Sequence, residues 1–103
     1  MEVKTAQKRS SKSMTQAHVF IEGFVQNVGF RHFVKSKAVE SGLNGFVKNL
    51  PDGRVEAIVQ GSKENIEKLI KLCKKGPFLS EVENVDVQWE NPKKKLGSFE
   101  ITP

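Results

Sequence analysis

The stretch AHVFIEGFVQNVGFRHFVKSKAVESG, residues 17–42, decides the fold because its hydrophobic period changes in the middle. Residues 17–25 are rich in β-branched and aromatic side chains, which predicts a β-strand. Over residues 30–41 the apolar side chains recur at helical spacing, which predicts an α-helix. Gly42 follows, where a glycine commonly caps a helix. The stretch is therefore predicted to form a strand, a loop and a helix.

On the C-terminal side of Gly42 the sequence predicts two strands, a helix and a third strand, followed by a short edge strand. The predicted elements are strands over residues 44–49, 54–60 and 84–90, a helix over 63–75 and a last short edge strand at Phe99 and Ile101. Ser62 can cap the second helix, and Gly76-Pro77 ends it. The order β-α-β-β-α-β predicts an α+β, ferredoxin-like sandwich, a mostly antiparallel sheet with two helices on one face.

Length and charge suit one small globular domain. The chain has 103 residues and a net charge of +5, of which +3 lies in the polar residues 1–16 and +2 in residues 17–103. We expect residues 1–16 to be a disordered basic tail and residues 17–103 to be the folded domain. A charge of +2 does not predict a nucleic-acid-binding face. No apolar run approaches the ~18 residues of a membrane span, and no secretory signal is evident. A cytoplasmic monomer is the expectation.

Most side chains with reactive groups are better explained by structure than by chemistry. His18 and His32 lack neighbouring cysteines or acid clusters, so neither catalysis nor metal binding is predicted for them. Cys73 is the only cysteine and lies on the apolar stripe of the second helix, which predicts a buried structural thiol. Trp89 alternates with polar residues on the last long strand and is predicted to lie in the core.

The loop between the first strand and the first helix is the exception. Backbone N–H groups at a helix N-terminus suit a bound phosphate, and Gly29 allows a close approach of the ligand. Arg31 lies in the first helical turn, where a cation opposes the helix dipole and where a guanidinium can hold phosphate oxygens bidentately. The alternative is an ordinary glycine-containing turn with a surface arginine. The predicted phosphate-binding residues are Gln26, Asn27, Val28, Gly29, Phe30 and Arg31.

Two blocks of the sequence resemble the acylphosphatase family. GFVQNVGFR, residues 23–31, is similar to the family pattern G-x-V-Q-G-V-G-F-R. GFVKNLPDGRVE, residues 45–56, is similar to G-[WFY]-V-x-N-x-x-D-G-x-V-E. The blocks have the right order and distance, and the resemblance covers about residues 17–103. It agrees with the predicted ferredoxin-like order of elements.

The resemblance implies an enzyme that hydrolyses the carboxyl-phosphate bond of acyl phosphates to a carboxylate and inorganic phosphate. It implies that Arg31 and the loop amides hold the phosphate and that Asn49 orients the attacking water. Taken alone, Asn49 before a turn is more simply explained by local hydrogen bonding. The expected ligands are a small acyl phosphate and inorganic phosphate, and no metal or other cofactor is implied.

One residue departs from the family pattern. Asn27 stands where the family usually has glycine, and asparagine tolerates the left-handed backbone at a cost of about a kcal/mol. This keeps open a catalytically weak acylphosphatase-like domain with a binding or regulatory role. A nucleic-acid-binding module on the same fold is a further alternative, but the paired aromatics of that class are missing from residues 54–60.

Overall fold

A computed structural model of the chain describes residues 14–103, which form one sheet and two helices. The elements are β1 (Thr15–Phe24), α1 (Phe30–Glu40), β2 (Asn44–Asn49), β3 (Val55–Gly61), α2 (Lys63–Lys75), β4 (Glu81–Glu90) and β5 (Glu100–Ile101). The predicted order and the ferredoxin-like architecture are confirmed. β1 begins at Thr15, two residues before the predicted start of this strand at Ala17. Residues 1–13 of the predicted tail lie outside the described residues.

The strands form one sheet in the order β4-β1-β3-β2-β5. β1 pairs antiparallel with β3 and with β4, and β2 pairs antiparallel with β3. β5 lies parallel to β2 at the opposite edge from β4. β1 therefore lies inside the sheet, and its C-terminal end meets the start of β3 on one side and the start of β4 on the other.

The core lies between the sheet and the two helices. One face of β1 and β3 is buried through Ala17, Val19, Ile21, Val55, Ala57 and Val59. The helices cover it with Phe30, Val34, Ala38, Ile66, Leu69, Ile70 and Cys73.

The predicted caps at the start of α2 and at the end of α1 are both found in the structure. Ser62 Oγ accepts from the Asn65 amide at 3.2 Å, and Leu43 N–H donates to Ala38 O at 2.9 Å beyond left-handed Gly42. Neither helix within residues 14–103 has the length and apolar character needed to cross a membrane.

A β-bulge interrupts the pairing of β1 with β4 just before β1 enters the loop. The register against β4 shifts between Glu22 and Gly23. Gly23 has φ 132°, and a Cβ there would collide with the carbonyl oxygen of Glu81. Only glycine lets the two backbones approach this closely. The alternation of buried and exposed side chains along β1 continues past this point, so Val25 is buried like Ile21 while Phe24 is exposed.

Two side chains differ from the sequence prediction because of where their strands lie. Trp89 is 41% exposed rather than in the core, because β4 is an edge strand; the Lys63 ammonium lies over its ring, 5.3 Å from the centroid. The alternation along the strand of residues 54–60 places Gln60 on the face opposite Val55, Ala57 and Val59, yet Gln60 is buried. The loop that follows β4 crosses that face, and the Gln60 amide donates to Lys94 O at 2.8 Å and accepts from Leu96 N–H at 2.9 Å.

Cys73 is buried, as predicted, and burial raises the pKa of its thiol from 9.0 to about 12. We expect native Cys73 to react with a thiol reagent at pH 8 at least ~100-fold more slowly than in the urea-unfolded chain. The raised pKa also stabilises the folded state below pH 9, and this contribution falls as pH rises from 9.0 towards 12. Equal labelling rates in native and unfolded protein would contradict the structural role.

Candidate active site

The candidate site lies at one end of the sheet, where β1, β2 and β5 end and β3 and β4 begin. Asn49 pairs with Val55, Ile21 pairs with Val55 from the other side, and Phe24 pairs with Glu81. The loop between β1 and α1 therefore lies over the middle of this end. The two sequence blocks, whose key residues Arg31 and Asn49 are 18 residues apart in the chain, both reach this end because β2 and β3 form a hairpin beside β1.

The loop backbone is shaped by two left-handed residues. Asn27 has φ 63° and Gly29 has φ 81° and ψ 14°; Asn27 is the one non-glycine residue with positive φ among residues 14–103. The first intrahelical bond of α1 is donated by Phe33 N–H to Gly29 O at 3.0 Å. The amides of Phe30, Arg31 and His32 precede it and have no intrahelical acceptor. The loop and the helix start together offer several donors to an anion.

Arg31 lies in the first turn of α1 with its charge uncompensated. It forms no salt bridge within the described part of the chain, and no acidic residue accompanies it in that turn. Its Nη1 lies 3.5 Å from the backbone oxygen of Thr102, at the end of β5. A half-buried guanidinium with one long contact to a neutral carbonyl can offer its remaining donors to an anion.

Asn49 presents an acceptor without a partner. Two buried side-chain atoms in residues 14–103 lack a hydrogen-bond partner, Asn49 Oδ1 and Thr102 Oγ1. Most buried polar atoms in proteins are satisfied, so two orphans at one end of a small sheet require an explanation. Thr102 N–H donates to Val47 O at 2.9 Å, which holds the end of β5 beside the end of β2. Thr102 therefore lies beside β2, the strand that Asn49 ends. The backbone oxygen of Thr102 is also the atom that the Arg31 guanidinium approaches.

The side chain of Gln26 ties the loop to the turn after β2. Its Nε2 donates to Leu50 O at 2.8 Å and to Arg54 O at 2.9 Å. Leu50 directly follows Asn49, so this contact relates the position of the loop to that of Asn49. The sequence assigned Gln26 only a backbone role, and it did not single out Thr102. Gln26 was detectable as a long polar side chain beside a predicted turn, whereas Thr102 shows no signal before the pairing of β5 is known.

Replacing Gln26 by Ala is expected to lower the free energy of unfolding by about 1–2 kcal/mol, because two carbonyls lose a donor. We also expect kcat/KM to fall by about 10-fold, since the loop loses its registration with Asn49. Urea unfolding and an acyl phosphate assay measure the two effects. Gln88→Ala, an exposed change on β4, is the control. A Gln26→Ala variant with the activity and stability of the control would show that the hydrogen bonds from Gln26 to Leu50 and Arg54 are unimportant.

His18, His32 and Asp52 are the other polar candidates, and none of them is shown to contact the loop between β1 and α1. His18 is half-buried on the open face of the sheet, with Nε2 2.6 Å from Glu56 Oε2 and Nδ1 3.7 Å from Glu90 Oε2. His32 is exposed. Asp52 accepts from the backbone amide and Nε of Arg54, which lowers the pKa of Asp52. Residues 14–103 contain no group of three His, Cys, Asp or Glu side chains arranged to hold a metal ion.

The comparisons with known proteins identify the family that the chain resembles in sequence and fold. The family profile described as Acylphosphatase matches residues 17–101. An acylphosphatase of Chloroflexus aurantiacus is 47% identical over 88 residues, which are 85% of this chain and 96% of that protein. The crystal structure of the Bacillus subtilis acylphosphatase is 32% identical with a TM-score of 0.84, covering 86% of this chain and 99% of that one.

A third match, the structure of an acylphosphatase from Coxiella burnetii, is 35% identical with a TM-score of 0.83 and covers 91% of this chain and 98% of that chain. The matched region contains both sequence blocks and every element from β1 to β5. Sequence and fold thus agree over nearly the whole length of both partners. The chain belongs to the acylphosphatase family.

Proposed function

We propose that this acylphosphatase binds the phosphate group of its substrate between the loop amides of residues 26–31 and the Arg31 guanidinium. The amides and the guanidinium stabilise the charge that develops on the phosphoryl oxygens as the bond to the carboxylate breaks. Asn49 orients the attacking water, which donates a hydrogen bond to Oδ1. The observation that supports this role is the buried, unpartnered Oδ1 at the end of β2.

The chemistry of the substrate explains why so few groups are needed. An acyl phosphate is a mixed anhydride whose leaving group is a stabilised carboxylate. We propose that positioning and charge stabilisation are sufficient and that neither a metal nor a covalent nucleophile takes part. A phosphate oxygen of the substrate accepts the proton of the water. Hydrolysis is therefore expected to continue in the presence of EDTA, and a loss of kcat/KM below pH ~6.5 that disappears in a histidine variant would contradict this proton route.

The direct test is hydrolysis of benzoyl phosphate by the purified chain, with and without inorganic phosphate. We expect turnover, and we expect inorganic phosphate to inhibit it competitively because it occupies the same loop. Turnover without competition would leave the activity standing but remove the proposed phosphate site. We further propose that the enzyme acts as a cytoplasmic monomer; size-exclusion chromatography and fractionation test these two points.

Asn27 supports one alternative, a catalytically weak domain with a binding or regulatory role. Its side chain is exposed and its φ is already 63°, so it leaves the backbone in a conformation that glycine also adopts. We therefore expect Asn27→Gly to hydrolyse benzoyl phosphate within about 3-fold of the wild-type rate, with a change in unfolding free energy below about 1 kcal/mol. A Gly variant about 100-fold faster than wild type would favour the weak domain.

A further inference from the structure

Three large apolar side chains are left in solvent at the same end of the sheet as the candidate site. Phe78 is 97% exposed, Leu79 65% and Phe24 61%, and they are the three most exposed large hydrophobic residues among residues 14–103. We call them the apolar rim. Single exposed apolar residues are ordinary, but three at the end of the sheet that holds the candidate site point to a binding surface.

The rim is brought together by the start of β4. Phe24 ends β1 and pairs with Glu81, while Phe78 and Leu79 lie in the connection from α2 that leads into Glu81. This connection also packs against the start of α1. A Cβ at Gly76 would lie 3.2 Å from Cε2 of Phe30, the residue that precedes Arg31. The rim therefore borders the phosphate-binding loop on the side of β4.

Asn49 lies on the other side of the loop. It ends β2, and the sheet order β4-β1-β3-β2-β5 separates β2 from β4 by the two central strands. In phosphoryl transfer the attacking and leaving oxygens lie roughly in line through phosphorus. A water held at Asn49 thus directs the leaving carboxylate, and the acyl group attached to it, away from β2 and towards β4.

We propose that the apolar rim binds the acyl group of the substrate and selects apolar, uncharged acyl groups. This inference rests on the proposed function, because it uses the water position assigned to Asn49. Aromatic rings offer large contact areas to an aromatic acyl group. Glu81, exposed and paired with Phe24, adds a negative charge that disfavours an acyl group with a second carboxylate. Phe78 and Leu79 are specificity residues in this proposal and take no part in the bond cleavage.

The test is the Phe78→Ala/Leu79→Ala double variant with two substrates, benzoyl phosphate and acetyl phosphate. We expect the ratio of kcat/KM for benzoyl phosphate to that for acetyl phosphate to fall about 10-fold, with most of the loss in KM for benzoyl phosphate. Val39→Ala is the matched control, since Val39 is an exposed apolar residue near the C-terminal end of α1. The inhibition constant of inorganic phosphate reports whether the loop is intact in each variant.

Each outcome decides the proposal. A fall in the ratio with an unchanged phosphate inhibition constant supports an acyl-binding rim. An unchanged ratio, or equal losses for both substrates, would overturn it. Failure of the wild-type chain to hydrolyse either substrate would instead contradict the proposed function, and the rim would lose its basis with it.

Discussion

Replacing Arg31 by Gln is expected to lower kcat/KM for acyl phosphates by about 10³-fold or more and to abolish inhibition by inorganic phosphate at millimolar concentration. Glutamine keeps much of the length of arginine but has neither its charge nor its paired donors. The fold should persist, because the one side-chain hydrogen bond of Arg31 within residues 14–103 is 3.5 Å long and reaches a backbone oxygen. Steady-state kinetics and circular dichroism measure the two expectations.

Two variants separate charge from geometry. Lys35→Gln removes the same charge one turn further along α1, at an exposed position, and should change kcat/KM by less than about 3-fold. Arg31→Lys keeps the charge but loses the bidentate fork, so we expect it to recover only part of the lost activity. If Lys35→Gln lowered kcat/KM as much as Arg31→Gln, the loss would be explained by weaker general attraction of the anionic substrate and not by a specific contact with Arg31.

Replacing Asn49 by Ala is expected to lower kcat by about 10²–10³-fold while inorganic phosphate still inhibits with nearly the wild-type constant. The change removes the acceptor that positions the water but leaves the loop and Arg31 in place. It also removes a buried atom that has no partner among the described residues, so the free energy of unfolding should not decrease strongly. Kinetics and urea unfolding on the same variant check both halves of the expectation.

Asn84→Ala provides the comparison, since Asn84 is an exposed asparagine on β4. A variant of Asn49 that lost phosphate affinity and turnover in equal proportion would indicate that Asn49 shapes the loop instead of orienting water. A variant with wild-type kcat would remove Asn49 from the mechanism altogether.

Periodicity predicted the elements, but it could not predict which strand lies at an edge. The alternation around Trp89 correctly indicated a half-buried strand, yet the exposure of Trp89 depends on the position of β4 outside β1 and on the N-terminal end of α2. Gln60 shows the opposite effect. Its burial depends on a loop more than 30 residues later in the chain, and no local pattern reports such a contact.

In the candidate site, too, some features follow from the local sequence and others depend on the tertiary structure. The sequence predicted that Arg31 lies in the first helical turn and that Asn27 tolerates a left-handed backbone, and both are found. Their role in binding phosphate stays a prediction. The family resemblance supplied Asn49, whose role stays a prediction. The tether from Gln26 and the approach of Arg31 to Thr102 required the tertiary structure, since both join segments distant in sequence.

The central position of β1 has a consequence for how the protein is made. β1 is completed early in synthesis, but its two neighbours are β3 and β4, and β4 ends at Glu90. A nascent chain on the ribosome therefore cannot close the sheet until residues up to Glu90 have emerged. Arg31 meets the end of β5 later still. The arrangement of the candidate site therefore requires residues as far along the chain as Thr102, and such long-range pairing makes for slow folding.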